Sequence, residues 1–120
     1  MKNIISAVMM AFLLVACAKP AETELKVPSP EDVVMYQVNP RNYAPENSFN
    51  AVASHLDSIQ TMGVNVLWFM PIYEIGELKS VNSPYSIRDY RSVNPEFGTL
   101  EDFKTLVAES HKRGMIVIID

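Results

Sequence analysis

With 120 residues the chain has room for one small domain, and its 48% hydrophobic content is ordinary for a globular protein. Ten basic and fourteen acidic residues give a formal charge of −4, scattered without runs. That distribution excludes the clustered basic face of a nucleic-acid-binding domain and a polybasic patch for anionic lipid. The only cysteine, Cys17, has no partner for a disulfide within the chain.

The chain opens on a leader. Lys2 supplies a positive start, and the apolar stretch 4–16 is too short for a comfortable membrane span. It closes on Leu14-Val15-Ala16-Cys17. Small residues ahead of a cysteine resemble the lipobox of bacterial lipoproteins, in which the cysteine becomes the lipidated first residue of the mature chain. The resemblance implies a signal peptide and lipobox at residues 1–17 and acylation of Cys17. It also implies a bacterial membrane lipoprotein, facing the periplasm or the cell surface. An ordinary cleaved signal peptide with an incidental cysteine is the competing reading. Each buried acyl methylene is worth roughly 0.8 kcal/mol, so several chains together make a stable anchor. Residues 18–30 are polar, carry Pro20, Pro28 and Pro30, and show no apolar period. They read as a flexible tether, with the folded part at 31–120.

Residues 33–38 are a short apolar run stopped by Asn39-Pro40, which favours a buried strand. A polar stretch follows, with Asn47 or Ser48 as candidate N-caps. Phe49, Val52, Leu56, Ile59 and Met62 then recur at helical spacing, and Gly63 suits the left-handed position that ends a helix. A second buried strand is expected over 64–70, closed by Pro71. Thr99 with Asp102 makes a capping-box-like pair, and Leu100, Phe103, Leu106 and Val107 mark an inner helical face. Gly114 ends that helix, and 115–119 is a third strand.

Strand, helix, strand, helix, strand with continuous apolar strands predicts an α/β fold with a parallel sheet covered on both faces and right-handed crossovers. Helix-to-strand links are a single glycine. The strand-to-helix link 71–98, by contrast, is 28 residues long, far beyond the usual few. Tyr73, Tyr85, Tyr90 and Phe97 within it argue against disorder. Long loops after parallel strands are where a (β/α)-barrel carries its active site.

Four segments in order carry a family resemblance. Met35-Tyr36-Gln37-Val38-Asn39-Pro40-Arg41-Asn42-Tyr43 resembles the first barrel strand of the α-amylase family of glycoside hydrolases. Leu67-Trp68-Phe69-Met70-Pro71-Ile72-Tyr73 resembles its second strand. Tyr85 through Asp89-Tyr90, Val93-Asn94-Pro95 and Phe97-Gly98-Thr99 is similar to the loop and helix start before its third strand. Residues 115–120 resemble that third strand, ending on the first aspartate of the family's first conserved region. The resemblance implies the first three βα units of a (β/α)8 TIM barrel, incomplete, since such a barrel needs about 250 residues. The rival, a flavodoxin-type open sheet, requires a short glycine-rich ligand loop that is missing.

The resemblance further implies a retaining glycoside hydrolase acting on α-glucans such as starch, glycogen or maltooligosaccharides. Its nucleophile, acid/base and third carboxylate come from strands four, five and seven. No catalytic residue is therefore expected among these 120, and the segment by itself is expected to be inactive. The same segment suits a transglycosylase of the family, or a non-catalytic starch-binding lipoprotein built on the same barrel. Tyr85 takes the position of the tyrosine that stacks on the sugar at the cleavage subsite. Pro84 stands where the family commonly has glycine, and Ser86 where a polar or acidic residue is common. Asp120 supports the site by pairing with an arginine ahead of the nucleophile, and Asp89 braces the loop through backbone or through Arg88 or Arg91. His55 and His111 read as surface groups and Trp68 as core. The acidic calcium loop that follows strand one in some relatives is missing from 39–48. The family's other calcium site draws a ligand from just past residue 120. The segment requires no cofactor, and calcium stays open for the full-length protein.

Overall fold

A computed structural model describes residues 25–120. The expected signal peptide and lipobox at 1–17, with Cys17, and the first part of the expected tether lie outside the described residues. Residues 25–29 have no regular structure, and a single 3-10 turn, Pro30–Asp32, leads into the first strand.

Three short strands form a parallel sheet: β1 (Met35–Val38), β2 (Val66–Phe69) and β5 (Ile116–Ile119), with β2 in the middle. In a flavodoxin-type sheet the first strand would stand in the middle. Sequential order is instead what consecutive βα units of a barrel produce. The side-chain alternation of a strand then sorts the sheet into two faces. Tyr36, Leu67 and Val117 lie abreast, as do Val38, Phe69 and Ile119. All of these except Ile119 pack against the helices.

Four helices follow in chain order: α1 (Pro40–Tyr43), α2 (Ser48–Ser54), α3 (Leu56–Thr61) and α4 (Leu100–Lys112). The core joins sheet and helices through Phe49, Val52, Leu56, Ile59, Leu67, Phe69, Phe103, Leu106 and Met115. Its centre is aromatic. Phe49 and Phe103 lie 5.1 Å apart between ring centroids, and Phe69 meets Phe103 edge-on at 5.7 Å, a geometry that suits the ring quadrupoles. At the head of α4, Thr99 Oγ1 accepts the Asp102 N–H at 3.1 Å while Asp102 Oδ2 accepts the Thr99 N–H at 2.8 Å. The predicted capping box is thus complete. Gly63 and Gly114, at φ +83° and +75°, turn the helices into β2 and β5.

Several expectations are corrected. The single helix over 49–62 is two, because His55 leaves helical geometry (φ −103°, ψ 1°) and its N–H turns to the Val52 carbonyl at 3.0 Å. Met62 and Leu100 are exposed. Steps of three residues fall 60° short of a full turn, so Leu56–Ile59–Met62 and Leu106–Phe103–Leu100 drift off the buried stripe. Asn47 occupies the N-cap of α2 in a left-handed conformation (φ 49°) without a side-chain capping bond. Trp68 is half-buried but outside the core, since alternation turns it away from Leu67 and Phe69. It shares the other sheet face with Met35, Gln37, Val66, Ile116 and Ile118. That face is not covered as the sequence suggested: Met35 and Ile118 are exposed. In a closed barrel it would be filled by layered side chains.

Candidate functional site

The C-terminal ends of the three strands lie side by side. Met70 N–H donates to the Val38 carbonyl at 2.9 Å and Asp120 N–H to the Phe69 carbonyl at 2.8 Å, extending both ladders by one rung. Asp120 is therefore held at the mouth by its own backbone. Asn65 plays a matching part at the opposite end. Its Oδ1 accepts the Val34 N–H at 2.9 Å, and its Nδ2 donates to the Asp32 carbonyl at 2.8 Å.

The long segment 71–98 is not a loop throughout. It builds an antiparallel hairpin, β3 (Tyr73–Ile75) and β4 (Ile87–Val93), with register shifts on either side of Glu74. Its polar side chains hold it. Glu74 takes Arg88 at 2.5 Å and the Ser92 hydroxyl at 3.1 Å, and Arg88 also reaches Glu77 at 3.5 Å. Tyr73 and Tyr90 pack as a tilted pair, centroids 5.5 Å apart. Below the hairpin, buried Asn94 accepts the Glu96 N–H through its side chain at 3.0 Å and donates its own N–H to the Ile72 carbonyl at 2.8 Å.

The hairpin tip delivers Tyr85 to the mouth. Its hydroxyl donates to Asp120 Oδ2 at 2.6 Å, so two residues 35 positions apart meet. Tyr85 as a whole is left 57% exposed. The carboxylate accepting its proton, reinforced by slight burial and by like-charge repulsion, holds the Tyr85 phenol above the ordinary tyrosine value. The arrangement offers a fixed aromatic face beside a carboxylate. Such a face suits the apolar C–H side of a sugar ring, and the carboxylate can accept hydroxyls.

Asp89 is exposed on β4 and accepts the Arg91 N–H at 2.8 Å. Arg88 turns to Glu74 and Glu77 instead, and among the described residues no hydrogen bond joins Asp89 to Asp120. His55 is exposed and shares a hydrogen bond with the Tyr43 hydroxyl (2.9 Å), and His111 is partly buried in the last turn of α4. Among the described residues no three His, Cys, Asp or Glu side chains gather as a metal site. No helix among them is long and apolar enough to cross a membrane. Sequence reasoning missed Arg41, which lies in α1 and reaches both Asn82 and Glu96. No local pattern marks it, because both partners are more than 40 residues away.

Comparisons with known proteins bear on the family and the fold. The family model described as "Alpha amylase, catalytic domain" matches residues 39–120. The chain is 38% identical over 95 residues to an oligo-1,6-glucosidase of Halalkalibacterium halodurans, which covers 75% of this chain. It is 39% identical over 92 residues to a trehalose-6-phosphate hydrolase of Bacillus subtilis, covering 72%. In each case the chain spans about 16% of the relative's length. Among solved structures, a noncanonic maltogenic α-amylase from Thermotoga neapolitana superposes with a TM-score of 0.70 at 32% identity. That match covers 76% of this chain and 23% of the other.

Proposed function

We propose that this chain, which belongs to the α-amylase catalytic-domain family, serves a retaining glycoside hydrolase that cleaves α-glucosidic bonds in glucans or oligosaccharides. The observation that carries this reading is the Tyr85–Asp120 hydrogen bond at the strand ends, 2.6 Å long, with the Tyr85 ring left open. Retaining glycosidases use one carboxylate as nucleophile and a carboxylic acid about 5–5.5 Å away to protonate the leaving oxygen. In the family these two and a third carboxylate come from strands four, five and seven. The first three strands supply the wall against which the sugar is laid. Tyr85 is its aromatic platform, Asp120 its supporting carboxylate, and Asp89 a brace within the hairpin. Hydrolysis and glycosyl transfer share the covalent glycosyl-enzyme, so both reactions fit this wall.

The test is Tyr85→Ala in the full-length protein, assayed on oligosaccharides with α-1,4 and α-1,6 linkages. A loss of roughly 1–3 kcal/mol of transition-state binding, about tenfold to a hundredfold or more in kcat/KM, is expected with little change in stability. Unchanged kinetics accompanied by a large loss of stability would assign Tyr85 to packing and remove the platform.

The proposed location is a bacterial membrane, with Cys17 acylated and the domain outside the cytoplasm. The short leader, the small residues before Cys17 and the proline-bearing tether support it. Labelling with a radioactive fatty acid should mark the native protein and not Cys17→Ser. No labelling in either form would leave an ordinary signal peptide, and equal labelling would place the acyl chain elsewhere than on Cys17.

A further inference from the structure

The seven residues 80–86 carry Tyr85 out of the hairpin, and they are held largely by one another. Asn82 N–H donates to Ser80 Oγ, Tyr85 N–H to Ser83 Oγ and Ser86 Oγ to the Ser80 carbonyl, each at 3.2 Å. Val81 and Asn82 both stand in the left-handed region, at φ 46° and 60°. That backbone is unfavourable for a β-branched valine and persists only where the surroundings enforce it. Yet among the described residues only two hydrogen bonds tie this loop to anything outside the hairpin. One is Tyr85 to Asp120. The other runs from Arg41 Nη1 to the Asn82 carbonyl at 2.7 Å.

The same guanidinium faces Glu96 Oε2 through Nε and Nη2, at 3.4 and 3.3 Å. Arg41 belongs to α1, directly after β1, and Glu96 to the 3-10 turn Pro95–Phe97 that precedes α4. One side chain thus links three segments of the mouth. Its exposure of 29% leaves the charge partly screened from water, which strengthens a charge-assisted bond to a carbonyl. A planar fork with five donors suits reaching a carbonyl and a carboxylate together.

We propose that Arg41 is a positioning residue for Tyr85, clamping the 80–86 loop so that the phenol reaches Asp120 and the ring keeps its open face toward the substrate. The catalytic consequence rests on the glycosidase reading above. The geometric claim does not.

Two measurements on the full-length protein separate them. The first is the titration of Tyr85, followed by NMR with ring-labelled tyrosine and assigned with Tyr85→Phe. In Arg41→Ala the Tyr85 midpoint should fall toward the ordinary tyrosine value as the Asp120 bond loosens. Losing a cation acts in the opposite sense, making the phenolate less favourable and raising the midpoint. A midpoint unchanged or raised therefore overturns the proposal. Arg41→Lys, which keeps charge and bulk, should show a smaller fall, and its result decides if Arg41→Ala does not fold. The second is a double-mutant cycle in kcat/KM. Arg41→Ala should lose nearly as much as Tyr85→Ala, and the double variant should lose no more than Tyr85→Ala does, because both act through one ring. Fully additive losses would sink the clamp. If Tyr85→Ala alone leaves catalysis intact, the glycosidase reading fails, and the NMR titration still judges Arg41.

Discussion

The helix–sheet core and the β3–β4 hairpin are held by different physics. Phe49, Leu67, Phe69, Leu106 and Met115 are fully buried and make no use of charge. The hairpin buries little: Leu78 and Val81 at its tip are 90% and 93% exposed. It is fixed instead by Glu74 with Arg88 and Ser92, by Arg41 on Asn82, and by Tyr85 on Asp120. Apolar burial is non-directional and only weakly sensitive to salt. Hydrogen bonds and ion pairs are directional and tunable. The first holds the scaffold together, and the second fixes the Tyr85 ring at the strand ends.

The largest expected effect falls on the core. Phe69→Ala removes a fully buried ring that meets Phe103 edge-on and should cost about 3–5 kcal/mol in urea unfolding. Arg88→Ala, on the hairpin, should cost no more than about 1 kcal/mol, because its ion pairs are half-exposed. Comparable losses from the two variants would erase the distinction. Between them lies Thr99→Ala, which removes the hydroxyl from a complete capping box and should cost about 1 kcal/mol, with α4 fraying at its first turn.

Salt gives a finer separation. At 1 M the screening length shrinks to about 3 Å, so amides of β3 and β4 should exchange faster with deuterium while those of β2 do not. Equal acceleration in both would mean that the hairpin unfolds only with the core.

The smallest effects are in pH, and the two ends of the scale test different contacts. The Asp102 carboxyl lies below its ordinary range, chiefly because the Thr99 hydroxyl bonds to it, with help from the Thr99 N–H and Asn50. A lowered carboxyl stabilises the fold above the ordinary aspartate value near 4 and loses that contribution as pH falls through its own lower value. Tyr85 is the mirror case. Its raised phenol supports the fold below the ordinary value near 10, and that support disappears as pH rises through the raised one. Acid should therefore loosen the head of α4 and alkali the hairpin tip, read as amide exchange at each place. Loosening of both at the same end would reverse the assignment.

The elements legible in the sequence are those whose cause is local. Thr99 and Asp102 are three residues apart, Gly63 and Gly114 each follow a helix, and the strands are unbroken apolar runs. The readings of Tyr85 as a sugar-stacking residue and of Asp120 as a supporting carboxylate came from family resemblance, and nothing in spacing joined the two residues. The hairpin within 71–98 escaped because β4, Ile87-Arg88-Asp89-Tyr90-Arg91-Ser92-Val93, shows no clean alternation and is mostly exposed. Its pairing with Tyr73–Ile75 is irregular as well.

Local signals in the chain were enough for the order of the three parallel strands and the two helical stretches between them, the Thr99–Asp102 cap and most of the buried stripe, because backbone hydrogen bonds and helical periodicity act within about four residues. Tertiary structure alone decided three further things: that Trp68 faces away from the helices, that the Tyr85 hydroxyl finds Asp120 35 residues on, and that Arg41 seats on the Asn82 carbonyl 41 residues on. Contacts of that reach carry no period in the chain. They exist because the parallel sheet sets its strand ends side by side, and the loops that leave those ends must then meet.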